Sequence, residues 1–171
     1  MNSLPNSTCI LLIEDDPELW DDFSDALSDA GYEVVRASDD QSASSRLSRA
    51  PDLLLLDLDL QSGSSWNFYA DWKARFPELR TVAVTGVPNR FGVARAVGIN
   101  ALMEKPVEPS LLVLVIASVL DETEKARTTT QTQPDTRFNF RYLTCDDTRY
   151  WRGLRGRSAV ARLCRNARQS T

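Results

Sequence analysis

Between Cys9 and Leu120, short apolar runs alternate with helix-length segments about five times, and few architectures accept that rhythm. Cys9–Ile13 (CILLI), Glu33–Ala37 (EVVRA), residues 52–56 (DLLLL), Arg80–Thr85 (RTVAVT) and residues 101–103 (ALM) are the strand candidates. The first and third are apolar almost without interruption, as expected of strands covered on both faces. Asp16-Pro17 starts a helix, with Asp16 as N-cap and Pro17 at the first helical position. Its apolar stripe is Leu19, Phe23, Ala26, Leu27 and Ala30, and Gly31 ends it. Further helices are expected over residues 41–49, Ser65–Arg75, residues 89–97 and residues 109–120. Strand–helix alternation of this kind indicates an α/β fold, a parallel sheet with helices on both faces.

Right-handed crossovers leave few strand orders open to such a chain. The common one is 2-1-3-4-5, the flavodoxin-like, doubly wound arrangement with five helices. Ligands of these sheets bind at the carboxyl ends of the strands, beside the point where the winding reverses. In this chain those ends carry Glu14-Asp15 after the first strand, Asp57 after the third, Thr85 at the end of the fourth and Glu104-Lys105 after the fifth. Three carboxylates brought together resist full ionisation. A hard divalent cation such as Mg²⁺ relieves that conflict and commonly accompanies a phosphate. Asp57 then suits attack on a phosphoryl group, with the metal and Lys105 neutralising charge and Thr85 donating a hydrogen bond. Taken singly, Asp57 is as well explained as a turn cap, Asp16 as a helix cap only, Thr85 as a strand residue and Lys105 as a loop lysine; their conjunction at the strand ends is what points to a site.

Composition narrows the chemistry further. The 171 residues include no histidine, which removes Ser-His or Cys-His catalysis, imidazole metal sites and phosphohistidine on this chain. Cys9, Cys145 and Cys164 stand far apart, with no C-x-x-C pair, and read as reduced thiols of a cytoplasmic protein. No targeting or membrane segment is expected: the apolar run at Cys9–Ile13 has no basic flank, and residues 111–120 are about half a membrane span. Charge is divided unevenly, with net −9 over residues 1–120 and net +5 over residues 121–171.

Four pieces, ILLIEDDP (10–17), PDLLLLDLDLQSG (51–63), VAVTG (82–86) and GINALMEKPVEPSLL (98–112), make residues 8–120 resemble a receiver domain of the bacterial two-component response regulators. The resemblance implies that Asp57 accepts a phosphoryl group from a phosphohistidine on a sensor histidine kinase or phosphotransfer protein. It implies that Glu14, Asp15 and Asp57 hold Mg²⁺ together with the backbone carbonyl of Asp59, and that Thr85 and Lys105 bind phosphoryl oxygens. The chain departs from the family pattern at Gln61, usually proline, at Ser65, usually glycine, at Gly86, usually alanine, and at Leu102, where a mobile Tyr or Phe is usual.

Residues 121–136 (DETEKARTTTQTQPDT) contain Ala126 as the only apolar side chain and are expected to form a flexible linker. Residues 137–171 interleave arginines with Phe138, Phe140, Tyr142, Tyr150 and Trp151, and Val160, Leu163, Cys164 and Ala167 have helical spacing. This basic extension suits DNA as a partner, and reads equally well as a poorly ordered appendage; a second copy of the chain is another candidate partner. Two other functions compete with the phosphorelay reading. One is a receiver-like interaction module that works without phosphorylation. The other is a phosphatase of the haloacid-dehalogenase type, suggested by Asp57-Leu58-Asp59, Thr85 and Lys105 but opposed by Gln61 and by metal-binding acids that precede the nucleophile.

Overall fold

The computed structural model describes residues 7–61, 63, 65–128 and 141–144. Strands β1 (Cys9–Ile13), β2 (Glu33–Ala37), β3 (Leu53–Asp57), β4 (Arg80–Thr85), β5 (Ala101–Glu104) and β6 (Arg141–Leu143) form one parallel sheet in the order β2-β1-β3-β4-β5-β6. Helices α1 (Pro17–Asp29), α2 (Asp40–Leu47), α3 (Ser65–Arg75), α4 (Phe91–Ala96) and α5 (Pro109–Thr128) connect them. The doubly wound α/β class and its five-strand order are borne out, and a sixth strand is added at the β5 edge.

Burial explains why the strand runs carry no polar alternation. Ile10, Leu12, Leu53, Leu55, Val82, Val84 and Met103 point to one face and pack under α1 and α5, with Phe23, Leu27, Leu112 and Ile116. Leu11, Ile13, Leu54, Leu56, Ala83 and Leu102 point to the other and meet Leu47, Phe68, Tyr69 and Trp72. Each β3 leucine is therefore buried whichever way it points, and a period-2 pattern has nothing to distinguish. Truncating any of them to alanine is expected to cost about 2–5 kcal/mol.

Local signals behave as their chemistry dictates. The Asp16 carboxylate accepts from the amides of Glu18 and Leu19 at 2.9 and 3.4 Å, capping α1, so this acid serves the helix. Gly31 follows the C-cap with φ of +90°, a conformation that costs glycine little. At α2, Asp39 is the N-cap and exchanges hydrogen bonds with Ser42 in a capping box.

Two expectations about the carboxyl-terminal part need correction. The expected linker 121–136 begins too early, because α5 runs eight residues past Leu120 to Thr128. Its sequence there, DETEKART, cannot bury much, but Glu, Lys, Ala and Arg have high helix propensity and extend a helix already anchored in the core. The extension 137–171, read for helical spacing, contains a strand at Arg141–Leu143. Its three residues, Arg-Tyr-Leu, are too few to show a strand periodicity in the sequence. The remainder of the linker and residues 145–171, with the helical spacing expected there, lie outside the described residues.

β6 is anchored by side chains as well as by its ladder. Leu143 is buried in the α1/α5 layer, and Tyr142 packs against the opposite layer with its ring 5.5 Å from that of Phe91. Replacing Leu143 with alanine should lower stability by about 2 kcal/mol, read as a reduced urea midpoint. An unchanged midpoint would show that β6 contributes nothing to the fold.

Candidate functional site

The carboxyl ends of β1, β3, β4 and β5 converge because their parallel registers align Ile13 with Leu56, Asp57 with Val84, and Thr85 with Glu104. The residue after each apolar run is thereby delivered to one crevice. Glu14 and Asp57 are almost fully buried, at 1% and 2% exposure, and Thr85 is inaccessible. One carboxylate oxygen each from Glu14, Asp15 and Asp57 lies within 4.8 Å of the others. Acidic oxygens at this separation, with two of the three side chains buried, form a donor set suited to a hard divalent cation.

Lys105 is the counter-charge. Its Nζ lies 2.9 Å from Asp57 Oδ2 and 3.5 Å from Glu14 Oε2, and its backbone amide donates to the Thr85 carbonyl at 2.7 Å. The lysine is thus held at both ends, by main chain to β4 and by side chain to the acids. Burial opposes the charged ammonium, but the hydrogen bond and charge of Asp57, then those of Glu14, outweigh it and raise the Lys105 pKa. The Lys105–Pro106 peptide is cis.

The acids are fixed by main-chain donors. Asp57 Oδ1 accepts from the Asp59 amide at 2.9 Å, Glu14 Oε1 from the Asp16 amide at 3.0 Å, and Asp15 Oδ2 from the Gln61 amide at 2.8 Å. That last contact gives the Gln61 departure a physical meaning, since a proline there would have no N–H to donate. On the β4 side, Thr85 Oγ1 accepts from the Val87 amide at 3.1 Å and itself donates to the Asp59 carboxylate.

Of the residues expected at the site, Glu14, Asp15 and Asp57 share the acidic cluster, Lys105 bonds Asp57 and Glu14, and Thr85 bonds Asp59. Asp59, expected to act through its carbonyl, also places its carboxylate against Thr85 and Gly86, which sequence reasoning missed because spacing places a side chain on a loop without aiming it. Tyr142 was missed as well: its hydroxyl meets Glu104 Oε1, the residue beside Lys105. Leu102 is fully buried, and its register partner on β6 is that tyrosine.

One charge conflict remains. Burial, then the neighbouring Asp57 charge, push the Glu14 pKa up to about 7 from its ordinary 4.5, against the opposing pull of the Asp16 amide and Lys105.

Comparison with known proteins gives the same picture. The family model for the response regulator receiver domain matches residues 10–117. A receiver-domain protein (CheY-like) from Methanospirillum hungatei is 26% identical, covering 71% of this chain and 99% of that one with a TM-score of 0.66. NtrX from Brucella abortus is 29% identical over 71% of this chain and 29% of its own, also with a TM-score of 0.66. The phyllosphere-induced regulator PhyR of Methylorubrum extorquens is 27% identical over 124 residues, which are 71% of this chain. The chain spans about half of that relative's length, 46%.

Without metal, between about pH 4.5 and about pH 7 the folded protein holds a Glu14 proton that the unfolded chain has released. Folding free energy from this group therefore declines as pH rises through that window and is level above it. Glu14→Gln should flatten that decline by about 3 kcal/mol, measured as urea midpoints across the window in the presence of a chelator. An identical pH dependence in both proteins would contradict the assignment.

Proposed function

The chain belongs to the response-regulator receiver-domain family, and from that membership we propose that it is a phosphorylation-controlled signalling protein whose phosphoacceptor is Asp57. The observation that carries this reading is the buried Asp57 carboxylate, bonded to Lys105 at 2.9 Å within a three-carboxylate cluster. With no histidine among these 171 residues, the phosphohistidine donor lies outside this sequence, on a sensor kinase or a phosphotransfer protein.

In the step itself, a carboxylate oxygen of Asp57 attacks phosphorus. The new O–P bond forms as the N–P bond of the donor imidazole breaks, and the bonding pair leaves with the nitrogen. Lys105 offsets the negative charge of the approaching group and orients the Asp57 carboxylate. The Asp59 amide holds the other Asp57 oxygen, fixing the carboxylate plane before the donor arrives. Thr85 and Gly86 supply a hydroxyl and an amide on the opposite wall for phosphoryl oxygens. Mg²⁺ held by Glu14, Asp15, Asp57 and the Asp59 carbonyl would supply further charge neutralisation. In this reading the chain turns over no external substrate, and it meets its phosphodonor in the cytoplasm.

The phosphatase-type alternative loses ground to the family match and to the position of Glu14 and Asp15, which form the cluster with Asp57 from the amino-terminal side. Output is assigned to the β5 side of the sheet and, through β6, to the arginine-rich residues that follow. Their charge suits a phosphate backbone, so duplex DNA binding through them should weaken steeply with salt.

Incubation with Mg²⁺ and acetyl phosphate should add one phosphoryl group, a gain of about 80 Da in intact mass. The gain should vanish in Asp57→Asn and on chelation of the metal. A folded wild-type protein that gains nothing, and whose partner affinity is unchanged by Asp57→Asn, would instead be a phosphorylation-independent interaction module.

A further inference from the structure

Two donors at the end of β4, beside the loop that follows Asp57, are already occupied. Thr85 Oγ1 lies 3.1 Å from both oxygens of the Asp59 carboxylate, and the Gly86 amide donates to Asp59 Oδ2. Asp59 sits two residues after the phosphoacceptor, and its amide bonds Asp57 Oδ1. The same residue thus steadies Asp57 with its main chain while its side chain fills the opposing wall. We propose that Asp59 is a tethered anion occupying the seat for phosphoryl oxygens, so that phosphoryl transfer to Asp57 must first displace it; this rests on Asp57 being the phosphoacceptor.

The loop is built for such a displacement. Leu58 and Leu60 are buried at 4% and 3% exposure, and the Leu58 amide donates to the Val84 carbonyl at 2.9 Å, so the backbone on either side is pinned. Asp59 itself is exposed. Its side chain therefore rotates into water without desolvating a charge or moving the main chain that holds Asp57. Thr85, by contrast, is inaccessible and cannot follow. A phosphoryl group and a carboxylate are both acceptors and both anionic, so they cannot share one hydroxyl and one amide, and each disfavours the other at this distance. Asp59 is accordingly a positioning residue, setting how readily the seat becomes available. It has no bond-making role.

Full-length wild type, Asp59→Asn and Asp59→Ala, each saturated with Mg²⁺, separate charge from occupancy. With acetyl phosphate as donor, the initial rate of phosphoryl gain should rise on the order of threefold to tenfold in Asp59→Ala, and by less in Asp59→Asn, which keeps a neutral acceptor. Before any donor is added, the Gly86 amide proton resonance should move upfield in Asp59→Ala, reporting loss of the carboxylate acceptor. Equal rates in all three proteins, with wild type phosphorylated, would overturn the proposal alone. An unmoved Gly86 resonance would overturn the occupancy. Absence of phosphoryl gain in every variant would overturn the phosphoacceptor assignment, and this proposal with it.

Discussion

The Lys105–Asp57 ion pair is the interaction on which the arrangement of the crevice depends. It joins the end of β3 to the residue after β5, across β4, and the Lys105 amide ties the same point to Thr85. Three strands are thereby locked at the edge where their side chains do chemistry. Asp57 is buried, so removing Lys105 would leave its carboxylate without a counter-charge. Glu14 shares the same ammonium at 3.5 Å and is left with more negative charge than one lysine balances. Burial, and then the neighbouring Asp57 charge, hold the Glu14 pKa above its ordinary value.

The apolar layers create this situation and cannot relieve it. Leucines on both faces of β3 make the sheet interior dry, and each strand then ends abruptly in a polar residue held at the margin of that interior. Electrostatic interactions are stronger there than in water, in both directions: the hydrogen bonds to Asp57 gain, and the repulsion among the acids grows. Main-chain amides from Asp16, Asp59 and Gln61 fix the carboxylates without adding formal positive charge. On the far side, β6 closes the β5 edge, and its tyrosine reaches Glu104 next to the pair-forming lysine. The crevice and the carboxyl-terminal strand consequently meet at two adjacent residues, Glu104 at the end of β5 and Lys105 just after it.

Much of this was legible in the sequence, for identifiable reasons. Buried parallel strands announce themselves as unbroken apolar runs, and a parallel register sends the following residues to one end, so Glu14, Asp15, Asp57, Thr85 and Lys105 could be gathered without coordinates. What escaped was direction and context. The rotamer of Asp59 depends on the donors it finds across the crevice, which no local pattern encodes. The continuation of α5 to Thr128 followed helix propensity in a segment whose polarity had suggested a linker. The strand at Arg141–Leu143 was masked by its surroundings: three residues give almost no periodicity of their own, and its stability comes from an edge supplied by a strand some forty residues earlier.

Central to the proposed function is a divalent cation that would relieve the charge conflict within the carboxylate cluster. The most direct test is the urea midpoint at about pH 8, where Glu14 is charged, with and without millimolar Mg²⁺, since a ligand bound only by the folded state stabilises it in proportion to its occupancy. The account predicts a higher midpoint with Mg²⁺ in wild type, and a smaller increase in Asp15→Asn. A wild-type midpoint that Mg²⁺ leaves unchanged would contradict it.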